Sequence, residues 1–194
     1  LALACGVDAA RFRSMTSVPM LPAAETAALT RRVTLYSVAT AAVLVTLKVA
    51  AWLASGSVAL LASAADSGLD LVASLITFFA VRYAVAPPDA EHRYGHGKAE
   101  GFASLMQAGL VFASAALIAR EAVGDLMAPK PIQASGWAIA VMAVSVVLTF
   151  LLVTAQGRVL RQTSSVAVSG DRAHYAADLA SNFIALAGIG AAAV

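Results

Sequence analysis

One cysteine, Cys5, stands in 194 residues, so neither a disulfide framework nor a thiolate metal site can be built. Charge is almost as scarce: Asp, Glu, Lys and Arg make up 12% of the chain, against about 25% in ordinary soluble domains. Aromatics are 7%, too few to line a roomy pocket for an organic cation. The 13 basic and 11 acidic residues nearly cancel, which excludes the basic face of a nucleic-acid binder. What fills the sequence instead is apolar, at 60% of residues and a mean hydropathy of +0.82. That composition rules out disorder and a soluble globule, and it points to an all-α, polytopic transmembrane helix bundle in a lipid bilayer.

Hydrophobic runs of bilayer length predict five spans. The first covers Val33–Ala54, interrupted by Lys48, and Gly56-Ser57 breaks it. The second covers Val58–Val81 and ends before Pro87-Pro88. The third covers Gly101–Ala119, the fourth Ile132–Gly157 beyond Pro129 and Pro131. The fifth begins near Val166–Ala173 and is still apolar at Val194. Asp89–Glu100 and Arg158–Arg172 read as polar loops. Residues 1–30 read as a tail with no signal peptide, and Met15 is a candidate start. Residues 31–194 form the transmembrane domain. Basic residues collect in the tail (Arg11, Arg13, Arg31, Arg32), after the second span (Arg82, Arg93, Lys98) and after the fourth (Arg158, Arg161, Arg172). The opposite side holds only Arg120 and Lys130, offset by Glu121 and Asp125. By the positive-inside rule the N-terminus and these two loops are cytoplasmic.

Four ionisable residues fall inside the predicted second and fifth spans: Asp66, Asp70, His174 and Asp178. An uncompensated carboxylate at mid-span costs roughly 2.5–3.5 kcal/mol on insertion scales. Each pair is spaced i, i+4, so both members share a helix face. At about 1.5 Å per residue each pair lies on the order of 10–18 Å from its end of the span. Two helices entering from opposite sides therefore bring both pairs near mid-membrane. One such Asp could serve a helix–helix hydrogen bond; two pairs at matched depth make a four-ligand set for a divalent cation. Mixed oxygen and nitrogen ligands in a tetrahedron suit Zn²⁺. Lys48 reads as a snorkelling side chain, with pairing to a carboxylate at the cytosolic mouth as its alternative.

In the loop, Asp89, His92 and His96 have i, i+3, i+7 spacing. A carboxylate with two imidazoles can bind zinc together with a water; a solvated polar loop is the other reading. Gly97-Lys98-Ala99-Glu100-Gly101 matches GxxxG but holds charges, so it is discounted as a dimerisation face. The HExxH motif of a membrane metalloprotease is missing, and no Ser or Cys nucleophile sits beside a His, so the chain does not read as an enzyme.

Three stretches carry a resemblance. They are Gly56-Ser57-Val58-Ala59-Leu60-Leu61-Ala62-Ser63-Ala64-Ala65-Asp66-Ser67-Gly68-Leu69-Asp70, His92-Arg93-Tyr94-Gly95-His96-Gly97-Lys98-Ala99-Glu100, and His174-Tyr175-Ala176-Ala177-Asp178. Together they resemble the cation diffusion facilitator family, in its bacterial zinc/iron efflux branch. The resemblance implies that Asp66, Asp70, His174 and Asp178 form a transport site and that Asp89, His92 and His96 form a secondary loop site. It implies efflux of Zn²⁺, with Fe²⁺ and Cd²⁺ as further cargo, in exchange for protons across a bacterial inner membrane by a homodimer. The histidine in the fifth-span pair fits zinc and cadmium over manganese. The family pattern has a sixth span and a cytosolic ferredoxin-like domain that these 194 residues do not show. The chain is therefore expected to be five spans of six, and an inert or partner-dependent fragment of such a transporter is the alternative reading.

Overall fold

A computed structural model describes residues 22–56, 58–127 and 136–192. They form five long helices: α1 (Ala23–Ser55), α2 (Val58–Ala84), α3 (Lys98–Met127), α4 (Gly136–Thr163) and α5 (Val166–Ala192). Four of them, α1 to α4, are long and apolar enough on their own to cross a membrane. The fifth, 27 residues long, carries Asp171, His174 and Asp178 in its first half. The bundle is all-α, and the predicted start and stop signals set most boundaries. Gly56 ends α1 with φ of +65°, a left-handed conformation in which an L side chain would be strained, and its N–H bonds the carbonyl of Trp52.

The structure departs from the sequence expectation at the start of α1 and at the end of α4. Residues 23–30, assigned above to the tail, already belong to α1. The expected polar loop Arg158–Arg172 is nearly all helix: α4 continues to Thr163, Ser164 and Ser165 make the turn, and α5 starts at Val166. Polar residues signalled a loop there, but in a bundle they mark helix faces that meet other helices. The start predicted for the fourth span, Ile132, and the candidate start Met15 and Cys5 lie outside the described residues.

The helices close a ring. α1 packs on α2 and α4, α3 on α2 and α5, and α5 on α4, with α2 and α5 also touching across the middle. The buried residues of α1 are Thr30, Val33, Thr34, Ser37, Ala41, Leu44, Lys48 and Ala51, a stripe of period 3 to 4. The interior is small and polar, with Ser67, Ser74, Thr77, Gln107, Ser145, Thr149 and Gln156 buried, whereas Phe79, Phe112, Leu117, Phe150 and Phe183 face outward. A water-soluble core is built the other way round. Small residues let helices approach while the large apolar ones meet lipid tails. The chain is a multi-pass membrane bundle.

Candidate metal centre

Two contacts fix α5 before its functional turn. Ser165 caps the helix, its Oγ accepting from the Val168 N–H at 3.4 Å. Ser165 Oγ also donates to Glu100 Oε2 of α3 at 2.7 Å. One turn on, Gly170 lies so close to α3 that an added Cβ would stand 2.9 Å from Ser104 Oγ and 3.1 Å from its Cα. Those ties set the rotation of α5 and so the direction of His174.

His174 then meets α2. Its Nε2 lies 3.0 Å from Asp70 Oδ1 and 3.5 Å from Asp178 Oδ2. One ligand atom from each of Asp70, His174 and Asp178 falls within 4.8 Å of the others. His174 and Asp70 are buried. Asp178 Oδ2 and His174 Nδ1 are buried with no hydrogen-bond partner among the described residues. A carboxylate oxygen in that condition is costly unless a cation or proton satisfies it. Two carboxylates around one imidazole nitrogen are a donor set suited to a divalent cation. Asp66 is outside this set: it sits one turn along α2, in an exposed position. Four residues on one helix advance about 6 Å, so a shared face does not bring both carboxylates to one point.

Below the cluster lies a charged group that the sequence reading did not single out. Asp171 is fully buried; its Oδ1 accepts from Gln107 Nε2 at 3.0 Å and its Oδ2 from Gln156 Nε2 at 2.8 Å. Gln107 Nε2 also reaches Thr77 Oγ1 at 2.9 Å, and Gln156 Nε2 reaches Ser37 Oγ at 3.1 Å. The Tyr175 hydroxyl pairs with Ser74 Oγ at 2.6 Å and lies 3.4 Å from the Ser37 carbonyl. The network thus draws on all five helices. Its sequence signal was present: Asp171 stands three residues before His174, on the same helix face.

The loop cluster is built locally. Asp89 Oδ1 accepts from the backbone N–H groups of Glu91 at 3.0 Å and His92 at 2.6 Å, an Asx turn that folds His92 back. The His92 Nδ1 is 3.1 Å from the same oxygen, and His96 Nε2 is 3.3 Å from Asp89 Oδ2. Gly95, at φ +78°, reverses the chain so that both rings share one side, 4.5 Å apart between centroids. His96 Nδ1 lies 3.4 Å from the Ala86 carbonyl, which favours the Nδ1–H tautomer and leaves Nε2 open to a metal. The His92 backbone N–H, first, and its side chain hold the Asp89 carboxyl below its ordinary pKa. Asp89, His92 and His96 are within 4.8 Å of one another, and Asp89 and His92 are exposed.

Lys48 does not snorkel. It is 6% exposed, and its Nζ donates to Ser67 Oγ at 2.6 Å and to the Ser63 carbonyl at 3.3 Å.

Known proteins bear on this arrangement. Residues 34–194 match the model of the cation efflux transmembrane domain. The chain is 46% identical over 143 residues to a cation-efflux pump FieF of Shewanella oneidensis, covering 74% of this chain and 48% of the relative. It is 39% identical over 162 residues to the pump of that name from Klebsiella pneumoniae, covering 84% of this chain and 54% of the relative. The Salmonella agona pump is 38% identical over the same length. The chain spans about half the length of the curated relatives it matches. With a match over residues 34–194 and the described part of that range folded as a membrane bundle, the chain belongs to the cation efflux family, the cation diffusion facilitators.

Proposed function

We propose that this chain is the membrane part of a divalent-cation efflux carrier, a transporter and not an enzyme, and that Asp70, His174 and Asp178 hold the cargo. The observation that carries this is the buried meeting of two carboxylates and an imidazole from α2 and α5, with one carboxylate oxygen left without a hydrogen-bond partner. Buried charge of that kind in a span marks an ion pathway. Asp66, one turn along α2, is assigned as the fourth ligand, reached by a change of its side-chain rotamer or a small rotation of α2. Zn²⁺ is the preferred cargo because a tetrahedral set of carboxylate and imidazole suits it, with Fe²⁺ and Cd²⁺ sharing those ligands. Asp89, His92 and His96 are assigned as a secondary metal site at the cytosolic entrance.

The cycle follows from the chemistry of the donors. Facing the cytosol, deprotonated ligands take the ion; facing outside, protons displace it. An imidazole, whose ordinary pKa is about 6.5, is suited to that exchange. The distribution of Arg and Lys favours a cytoplasmic N-terminus in a bacterial inner membrane. Pump activity, proton antiport and a homodimer belong to the reading of the whole protein.

The test is equilibrium Zn²⁺ binding to the detergent-purified chain beside Asp70→Ala, with proton release followed on metal addition. Tight binding that Asp70→Ala abolishes at one site, with proton release between about pH 6 and 7, is expected. Equal binding by both proteins would remove the mid-membrane site from the reading.

A further inference from the structure

Among the described residues, transport ligands and loop ligands leave the buried Asp171 and Lys48 unused, and of these two only Lys48 is basic. Lys48 sits on the inner stripe of α1, and its ammonium is anchored to α2, by the Ser67 hydroxyl and the Ser63 carbonyl. Ser63, Ser67 and Asp70 are spaced four and three apart, so they share one face of α2. The ammonium therefore lies about one helical turn from Asp70, on the side toward Ser55 and Val58. It feels the charges of Asp70, Asp66 and Asp178. A cavity of about 100 Å³ adjoins it, lined by Lys48, Ser63, Ser145 and Asn182 among others.

A lysine whose role was to reach water would extend along the helix surface. A lysine whose role was to tie two helices would need no carboxylates within range. This one is buried and held by neutral groups on the α2 face that also carries Asp70, and it closes no direct ion pair with a carboxylate among the described residues. We propose that Lys48 is a fixed counter-charge of the cation site, weakening its hold on multivalent cations. The inference rests on the reading of Asp66, Asp70, His174 and Asp178 as that site.

The carboxyls of Asp66, Asp70 and Asp178, with the buried Asp171 one turn before His174 on α5, gather up to four negative charges, and the Lys48 ammonium offsets one of them. Excess charge in a low-dielectric interior is expensive when the site is empty and holds a multivalent cation too tightly when it is loaded. Without the ammonium, the same ligands would over-bind a divalent ion, and a trivalent ion more strongly still. A carrier needs a site tight enough to load and weak enough to release, and a positive charge one turn away, outside the ligand shell, serves that purpose.

The experiment is equilibrium binding of Zn²⁺ and of Tb³⁺ to the full chain in detergent, with folding checked by far-UV circular dichroism and thermal unfolding. Lys48→Met is expected to tighten Zn²⁺ at the Asp70-dependent site by about tenfold or more, from the loss of a like charge several ångströms away at an intermediate dielectric. It is expected to tighten Tb³⁺ further still, while Lys48→Arg stays within about twofold of the parent. A purely structural lysine gives the opposite sign, because loosened packing weakens binding. If Lys48→Met does not fold, Lys48→Gln keeps a donor for Ser67 and should tighten binding in the same way. A folded neutral variant whose affinity is unchanged or reduced overturns the counter-charge and leaves the cation site standing. Loss of any Asp70-dependent binding in the parent overturns both.

Discussion

Two clusters of the same residue types, one carboxylate-rich and one histidine-rich, are built in opposite ways. Asp89, His92 and His96 lie within eight positions, and backbone turns alone assemble them: an Asx turn at Asp89 and a left-handed Gly95. Asp70 and His174 are 104 positions apart and meet only because α2 and α5 cross inside a ring of helices. The loop cluster is half in water, so its charges are screened and its empty form is cheap. The bundle cluster is shielded, so the same charges there are strong, costly when empty, and sensitive to every neighbour. The same donor types thus meet two different surroundings, one in water and one shielded by helices.

The sharpest way to break the comparison is to remove one buried ligand. Asp70→Ala should weaken Zn²⁺ at the bundle site by at least about 100-fold, more than the tenfold to 100-fold typical of an outer-shell partner, and leave loop binding intact; calorimetric titration separates the two sites. Second in size is Asp171→Ala, which takes one buried acceptor from each of the Gln107 and Gln156 amides and leaves a void among the five helices. A loss of about 2–4 kcal/mol is expected from unfolding in detergent, against a far smaller one for Asp89→Ala in the exposed loop. Third, His96→Ala removes a direct ligand and should lower loop affinity for Zn²⁺ by more than about tenfold, while Asp70-dependent binding stays within about twofold. Fourth, Gly95→Ala forces an L side chain to φ +78° at a cost of about 1 kcal/mol, and should weaken the loop site alone.

The smallest effect concerns pH. The folded Asp89 carboxyl titrates below 3.8 because its ionised form accepts the His92 N–H. Its contribution to the loop is complete above 3.8 and is lost as pH falls through the lowered value. In an NMR titration the His92 amide should report a midpoint under 3.8; a midpoint at or above it would mean that the turn does not hold the carboxylate in solution.

The Asp89, His92 and His96 cluster could be read almost whole from sequence, because the three come together through spacing over one short segment. The pairs Asp66–Asp70 and His174–Asp178 were equally visible, as were the spans that carry them. Which of the four would converge was not. Spacing fixes the face of a helix but not its rotation or height against a neighbour, and those leave Asp66 a turn away from the other three. Asp171 went unnoticed for the same reason. With Arg172 beside it and Arg158 and Arg161 upstream it reads as loop, and only the close approach of α3 at Gly170 reveals a helix with its polar face turned inward.

Sequence by itself determined the solvent and the units: scarce charge, apolar runs of bilayer length and the i, i+4 acidic pairs define helices that must shelter polar groups from lipid. Tertiary structure decided the partners. It seated Asp171 among five helices, buried Lys48 against α2 where it was expected to snorkel, and chose Asp70, His174 and Asp178 as the converging set. Periodicity is a property of one helix, and a site is a property of how several are rotated together.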